Sequence, residues 1–221
     1  MVDDIYPQMP IIETKNYLLR PVRLNDADDM FEYYKQSKVV KYLPMSFHKT
    51  VLDTKRFIKS FCIDNYKQGK IGHFAVVDKS NNKVIGNIGL NNVDKNDTEG
   101  EIGICINPIY WGHDIATELG REVLKFAFSS TNIKRIIANT YEDNKRTRKS
   151  LEHLNLKYYK TYDKKINMFK QISGNGVSFS FNEYNSGEAF CIMYKSLKNS
   201  ELLDLIGKDE IIYLSKYKDG D

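Results

Sequence analysis

Residues with chemical potential gather between positions 99 and 117, in Glu-Gly-Glu-Ile-Gly-Ile-Cys-Ile followed by Asn-Pro-Ile-Tyr-Trp-Gly-His-Asp-Ile-Ala-Thr. The first half reads as a strand carrying two carboxylates, Glu99 and Glu101, two residues apart and so on one sheet face. The second half begins with the turn pair Asn107-Pro108, crosses Tyr110-Trp111 and Gly112, and becomes a long amphipathic run. A strand delivering the chain through a tight loop into a helix leaves the first helical N–H groups without intrahelical partners. With the helix dipole they make an anion site, and Gly112 lets another group approach the backbone. Every helix has such an end, so the loop alone is a weak signal. Asp114 stands in the middle of it, a negative side chain where an anion would sit.

A second group lies downstream. A strand over 133–141 runs into Asn144, Thr147 and Ser150 at the start of another helix. Two strands then feed two helix starts at one end of a sheet, where ligands of α/β folds collect.

The elements that must place these groups are legible in the pattern. Residues 17–24 read as a first strand, and Asn25 or Asp26 can cap a helix with an acidic first turn. Thr50 or Asp53 can start a second helix, with Phe57, Ile58, Phe61 and Cys62 on one face and Gly69 as its stop. Strands over 73–78, 84–93 and 98–107 form a meander expected to be antiparallel. A helix over 113–128 buries Ile115, Leu119, Val123, Leu124 and Phe128. After the strand at 133–141 and the helix from Asn144 come strands at 157–162 and 189–196. Residues 163–187, rich in glycine and polar turn formers, read as an inserted hairpin or mobile loop. A short helix and frayed tail follow over 199–221. The order β-α-α-β-β-β-α-β-α-β-β gives one mixed α/β (α+β) domain over 1–198, its mostly antiparallel central sheet flanked by helices.

Bulk properties narrow the class. The 221 residues, 41% hydrophobic, supply a core. A net charge of +4, from 33 basic and 29 acidic residues, is small and interspersed, which argues against nucleic acid. No apolar run approaches the roughly 20 residues of a membrane span, and the N-terminus resembles no targeting segment. Cys62, Cys105 and Cys191 are far apart and odd in number, so they read as small buried hydrophobes in a cytoplasmic protein rather than a disulfide framework. His48, His73 and His153 have no ligand-like spacing, and no metal is expected.

In this order the segments resemble the GCN5-related N-acetyltransferases (GNAT), on the branch that includes ribosomal-protein N-terminal acetyltransferases. The likeness covers residues 12 to about 162 and the strand near 189–196. It is carried by Tyr17 through Leu43, by Val84-Ile-Gly-Asn-Ile-Gly-Leu90, by Glu99 through Phe128, and by Ile133 through Leu156. It implies a GNAT-like fold and acetyl-CoA as cosubstrate. The pantetheine arm would pair with the backbone at Ile104, Cys105 and Ile106, in a strand that splays from Gly103 onward. The pyrophosphate would be held by N–H groups of Trp111, Gly112, His113, Asp114, Ile115, Ala116 and Thr117. Asn144 would sit near the thioester, with the Thr147 hydroxyl able to protonate the leaving thiolate. Arg148, in a basic stretch that otherwise reads as a solvated face, would reach the 3′-phosphate or adenine end.

Two positions depart from the family. Its loop reads Trp-Gly-x-Gly-x-Ala, and Asp114 replaces the second glycine. Aspartate tolerates positive φ, so the cradle is expected to persist with the carboxylate outward. Repulsion at ~6–8 Å in a wet loop then costs ~0.5–1.5 kcal/mol. His113 can offset the charge when protonated, or simply be solvated. Gly-Phe after the next helix is replaced by Asn155-Leu156, and asparagine also tolerates the left-handed region.

The implied reaction is acetyl transfer to an amine that must be neutral when it attacks. An α-amine titrates near ~8 and a lysine near ~10.4. Glu101, at the family's Glu-Ile-Gly position, is the expected base, directly or through water. Glu99 is second, and a strand-end charge bonded to a neighbouring loop is the plainer role for Glu101. Main-chain N–H groups near Ile104 to Ile106 would stabilise the oxyanion. The acceptor is a small-molecule amine or a protein N-terminus. Its recognition is expected from Tyr33 to Phe47 and from the insert, where Glu183 and Tyr184 can meet a cationic amine. The insert can equally mediate contacts of a homodimer. A catalytically silent acyl-CoA-binding or partner-binding module is the alternative.

Overall fold

The computed structural model describes residues 6–94, 96–161, 166–172 and 190–192. The chain divides into two compact units, residues 1–132 and 133–221.

The first unit is built on an antiparallel meander. Strands β1 (Ile12–Glu13), β2 (Tyr17–Pro21), β3 (His73–Asp78), β4 (Lys83–Asn91) and β5 (Glu99–Ile106) pair in sequence order, each antiparallel to the next. In β4, Val84 through Leu90 are all buried, the continuous apolar signature of a strand covered on both faces. Helices α1 (Ala27–Tyr34) and α3 (Val51–Phe57) pack together, and α1 also packs on β4. Helix α5 (Ile115–Ser130) likewise packs on β4. On α5, Leu119, Val123 and Ala127 follow the helical period and have no exposed surface, and Phe126 meets Phe74 of β3 edge-on, 5.7 Å between ring centres.

Local chemistry sets the boundaries. Thr50 caps α3: its hydroxyl accepts from the Asp53 N–H, and the Asp53 carboxylate accepts from the Thr50 N–H, a reciprocal capping box. The helical run does not continue as regular α-helix. Residues Ile58–Ile63 form a π-turn before α4 (Asp64–Lys67), and Gly69, at φ +75°, ends it as expected. A four-residue helix α2 (Ser37–Val40) follows α1. Before α1, Arg20 holds Asp26 through two hydrogen bonds of 2.7 and 2.8 Å, and Asp26 also accepts from the Arg23 N–H.

The second unit contains β6 (Arg135–Tyr141), α6 (Lys145–His153), β7 (Lys157–Thr161), β8 (Ile166–Ile172) and β9 (Phe190–Ile192). β8 pairs antiparallel with β6 and β7, and β9 runs parallel to β8. Part of the segment read as an insert, 166–172, is therefore a paired strand. Its remainder, with Glu183 and Tyr184, lies outside the described residues, as does the helix expected over 199–221.

Two substitutions that depart from glycine settle into left-handed backbone. Asn155 has φ +65°, and the Leu156 N–H reaches back to the Leu151 carbonyl at 2.9 Å, closing α6 in a Schellman turn. Asp114 has φ +56°. Among the described residues no helix is long and apolar enough to cross a membrane.

Candidate active site

β5 supplies the strand half of the site. The Asn107 N–H donates to the Ile85 carbonyl and the register pairs Asn87 with Cys105 and Ile88 with Ile104. N–H directions alternate along an antiparallel ladder. Cys105 and Gly103 therefore turn their main-chain groups to β4, while Ile104 and Ile106 turn theirs to the far edge of β5. Of the residues expected to meet the pantetheine arm, Ile104 and Ile106 carry main-chain groups on that edge and Cys105 does not. Cys105 instead buries its thiol against the Tyr34 hydroxyl, and burial pushes it up to about 12. Cys62, also buried, is pushed up to about 12 for the same reason. Neither thiol is a nucleophile at neutral pH.

The loop is braced from both ends. Asn107 Oδ1 accepts from the Ile109 N–H across a short 3₁₀ turn, Pro108–Tyr110. The Trp111 indole N–H donates to the Ile106 carbonyl at 2.8 Å, and Lys38 Nζ stands 5.8 Å from the centre of the Trp111 ring. Gly112 has φ +93° and open space where a Cβ would lie. His113 is exposed and its Nδ1 lies 3.3 Å from the Tyr110 carbonyl oxygen. Asp114 is the N-cap of α5, with an exposed side chain whose carboxylate accepts from the Thr117 hydroxyl at 2.6 Å. The first-turn N–H groups of Ile115 and Ala116 stand where no intrahelical acceptor exists. Thr117 and Glu118 instead donate to the Asp114 carbonyl. Thr117 is fully buried, so it serves the loop through its hydroxyl on Asp114.

Glu101 is half-buried and faces Asn91 across the sheet. Its carboxylate accepts from Asn92 Nδ2 at 2.8 Å. Glu99 is buried, and its N–H donates to Asp94.

In the second unit, Asn144 caps α6: its Oδ1 accepts from the Thr147 N–H at 3.3 Å. The Asn-x-x-Thr spacing thus has a capping role of its own. Arg148 donates to the Glu142 carbonyl at 3.4 Å. It lines an open concavity on α6 with Lys145, Lys149, Glu152 and His153.

Composition gave no hint of a buried polar chain beneath β5. Tyr33 and Tyr34 both donate to Asn87 Oδ1, at 3.0 and 2.9 Å. Asn87 Nδ2 lies 2.8 Å from His73 Nδ1. Burial drives His73 down to about 4, with Asn91 pulling the other way, so the ring is neutral at physiological pH. The His73 backbone is pinned as well: the Tyr66 hydroxyl donates to its carbonyl and accepts from the Val22 N–H. His48 donates its main-chain N–H to the Tyr34 carbonyl at 3.0 Å, and its Nδ1 lies 2.9 Å from Thr54 Oγ1. Among the described residues no three His, Cys, Asp or Glu side chains gather to hold a metal.

Comparison with known proteins gives a consistent result. Residues 16–157 match the model of the acetyltransferase (GNAT) domain. The chain is 28% identical over 146 residues to the uncharacterized N-acetyltransferase p20 of Bacillus licheniformis, covering 66% of this chain and 82% of that one. The ribosomal-protein-S5-alanine acetyltransferase of Vibrio fischeri superposes with a TM-score of 0.65 at 20% identity, over 75% of this chain and 98% of that one. A microcin C7 self-immunity acetyltransferase, solved with acetyl-CoA and AMP, gives 0.65 at 19% identity over 72% and 94%. The expected fold, a mostly antiparallel sheet with flanking helices in one GNAT-like domain, is the one these structures share.

Proposed function

The chain belongs to the GNAT acetyltransferase family, and from that premise we propose that it moves an acetyl group from acetyl-CoA to a primary amine by direct attack in a ternary complex. The observation that carries this reading is the left-handed backbone of Asp114. The loop keeps the turn its missing glycine would give, and the carboxylate is engaged by the Thr117 hydroxyl. Main-chain N–H groups from Gly112 to Ala116 then hold the diphosphate, and Ile104 and Ile106 hold the pantetheine arm.

The neutral amine attacks the thioester carbonyl. The N–C bond forms, the oxyanion is stabilised by main-chain N–H groups of β5, and collapse breaks the C–S bond. Glu101, directly or through water, takes the proton that the amine loses. Its bond to Asn92 keeps the carboxylate in place at the rim of β5. The roles of Asn144 near the thioester, of Thr147 as proton donor to the thiolate, and of Arg148 on the 3′-phosphate rest on the family resemblance. Ribosomal-protein acetyltransferases among the structural relatives support an α-amine acceptor alongside small amines.

Thiol release from acetyl-CoA with a panel of primary amines tests the proposal. Amine-dependent release supports it. Coenzyme A binding without turnover on any amine would reduce the protein to an acyl-CoA-binding module.

A further inference from the structure

A short helix puts a cation beside the candidate cofactor loop. In α2, Val39 and Val40 are buried and anchor the turn, while Lys38 next to them is exposed. Its Nζ stands 5.8 Å from the centre of the Trp111 ring. Among the described residues that ammonium has no hydrogen-bond or ion-pair partner, whereas Lys35, at the end of α1, is paired with Glu32. Lys38 thus keeps all three of its N–H donors for a ligand. A ring contact at an exposed site is weak, and the lysine stem is flexible, so the ammonium can leave the ring for a stronger partner.

Trp111 marks where that partner would run. Ile106 turns its main-chain groups to the outer edge of β5, away from β4, and its carbonyl is taken by the Trp111 indole. The ring therefore bridges the end of the strand and the start of the loop. Gly112 follows directly, with φ +93° and open space where a Cβ would lie, and begins the run of loop N–H groups. A pantetheine arm on Ile104 and Ile106 would pass to its diphosphate at this ring. The loop from Asn107 to Thr117 contains one carboxylate, Asp114, and no lysine or arginine. The positive side chain that phosphate oxygens favour has to come from outside it.

We propose that Lys38 binds the diphosphate of acetyl-CoA, its ammonium moving from the Trp111 ring onto phosphate oxygens where the pantetheine arm meets the loop. This role rests on the acetyl-CoA reading above. It gives the cofactor a charged contact from α2, an element separate from the strand and loop that carry the rest of the cradle. It also assigns to the cofactor a residue of the Tyr33 to Phe47 stretch expected to meet the acceptor. A lysine acts on phosphate as a point charge, so arginine can stand in for it.

The test compares the wild type with Lys38→Met, which keeps the stem and loses the charge, and with Lys38→Arg, which keeps the charge. With an amine that the wild type acetylates, kcat/KM is measured for three donors. Acetyl-CoA is one. Acetyl-dephospho-CoA keeps the diphosphate and lacks the 3′-phosphate. S-acetylpantetheine has no phosphate. In Lys38→Met the ratio of either diphosphate-bearing donor to S-acetylpantetheine falls about three- to tenfold through KM, the scale of one exposed ammonium against a doubly charged partner. Lys38→Arg recovers most of that ratio. A fall confined to acetyl-CoA would put Lys38 on the 3′-phosphate and overturn the proposal. Unchanged ratios, or an equal fall on all three donors, would overturn it too, because a lysine that merely props the loop affects every donor alike. Absence of thiol release from the wild type with every amine refutes acetyl transfer instead. Lys38 is then judged by calorimetry with coenzyme A and pantetheine. Weaker binding of coenzyme A alone in Lys38→Met supports the contact. Equal affinities in variant and wild type, or no heat from the wild type, overturn it.

Discussion

The carboxylate of Asp114 accepts a 2.6 Å hydrogen bond from the hydroxyl of Thr117, a residue with no exposed surface. That bond ties the negative group to the first turn of α5. The backbone there sits at φ +56°. Asp114→Gly keeps this backbone without strain and removes the charge. Acetyl-CoA should then bind more tightly, by up to about tenfold at low salt, matching ~0.5–1.5 kcal/mol of repulsion. Asp114→Ala removes the same charge but places Cβ in left-handed backbone at a cost of about 1–2 kcal/mol, so its thermal midpoint should drop below that of the glycine variant. Titration calorimetry and melting curves of the two variants check both.

His73 makes stability depend on acid. Its native pKa is about 4 against an ordinary 6.5. Below pH 6.5 the unfolded ring takes up a proton that the folded ring refuses. The unfolded state binds more protons, so stability is present above pH 6.5 and is lost as pH falls toward 4. The loss from this one residue is about 3 kcal/mol. Urea unfolding at several pH values should show it in the wild type and not in His73→Gln. Parallel pH dependences in the two proteins would refute the assignment.

Arg20 and Asp26 form a two-bond ion pair with side chains 14% and 7% exposed. Asp26→Ala takes the carboxylate away from a nearly buried guanidinium that retains its bond to the Pro21 carbonyl, and also removes the acceptor of the Arg23 N–H. The expected loss is about 3–5 kcal/mol, read from denaturant midpoints at neutral pH. A loss below 1 kcal/mol would mean that solvent reaches the pair.

Glu101→Gln keeps the shape of the side chain and removes its basicity. At high pH more of the acceptor amine is already neutral and needs less help, so the fall in kcat should be largest at low pH. An unchanged pH–rate profile would remove Glu101 from proton transfer and leave it the structural role its bond to Asn92 suggests.

The sequence was most legible where one residue's chemistry dictates local backbone. Thr50 and Asn144 as caps, Gly69 as a stop, and Asp114 and Asn155 as left-handed residues each follow from their own side chains. The π-turn was not legible. Phe57, Ile58, Phe61 and Cys62 fit an ordinary helical face, and one widened turn leaves that spacing almost intact. His73 escaped for a different reason. Its surroundings depend on which residues of β4 and β5 lie opposite it, and only the register brings Gly89 and Gly103 beneath its ring. The Asn92 partner of Glu101 likewise sits in a loop whose path no pattern encodes.

The most direct test of the account is titration calorimetry of folded wild-type protein with acetyl-CoA and with coenzyme A. A one-to-one exothermic isotherm for both, tightened by Asp114→Gly, is the predicted result. No detectable heat with either compound, on protein that melts cooperatively, would contradict the cradle at Gly112 to Ala116 and the acetyl transfer built on it.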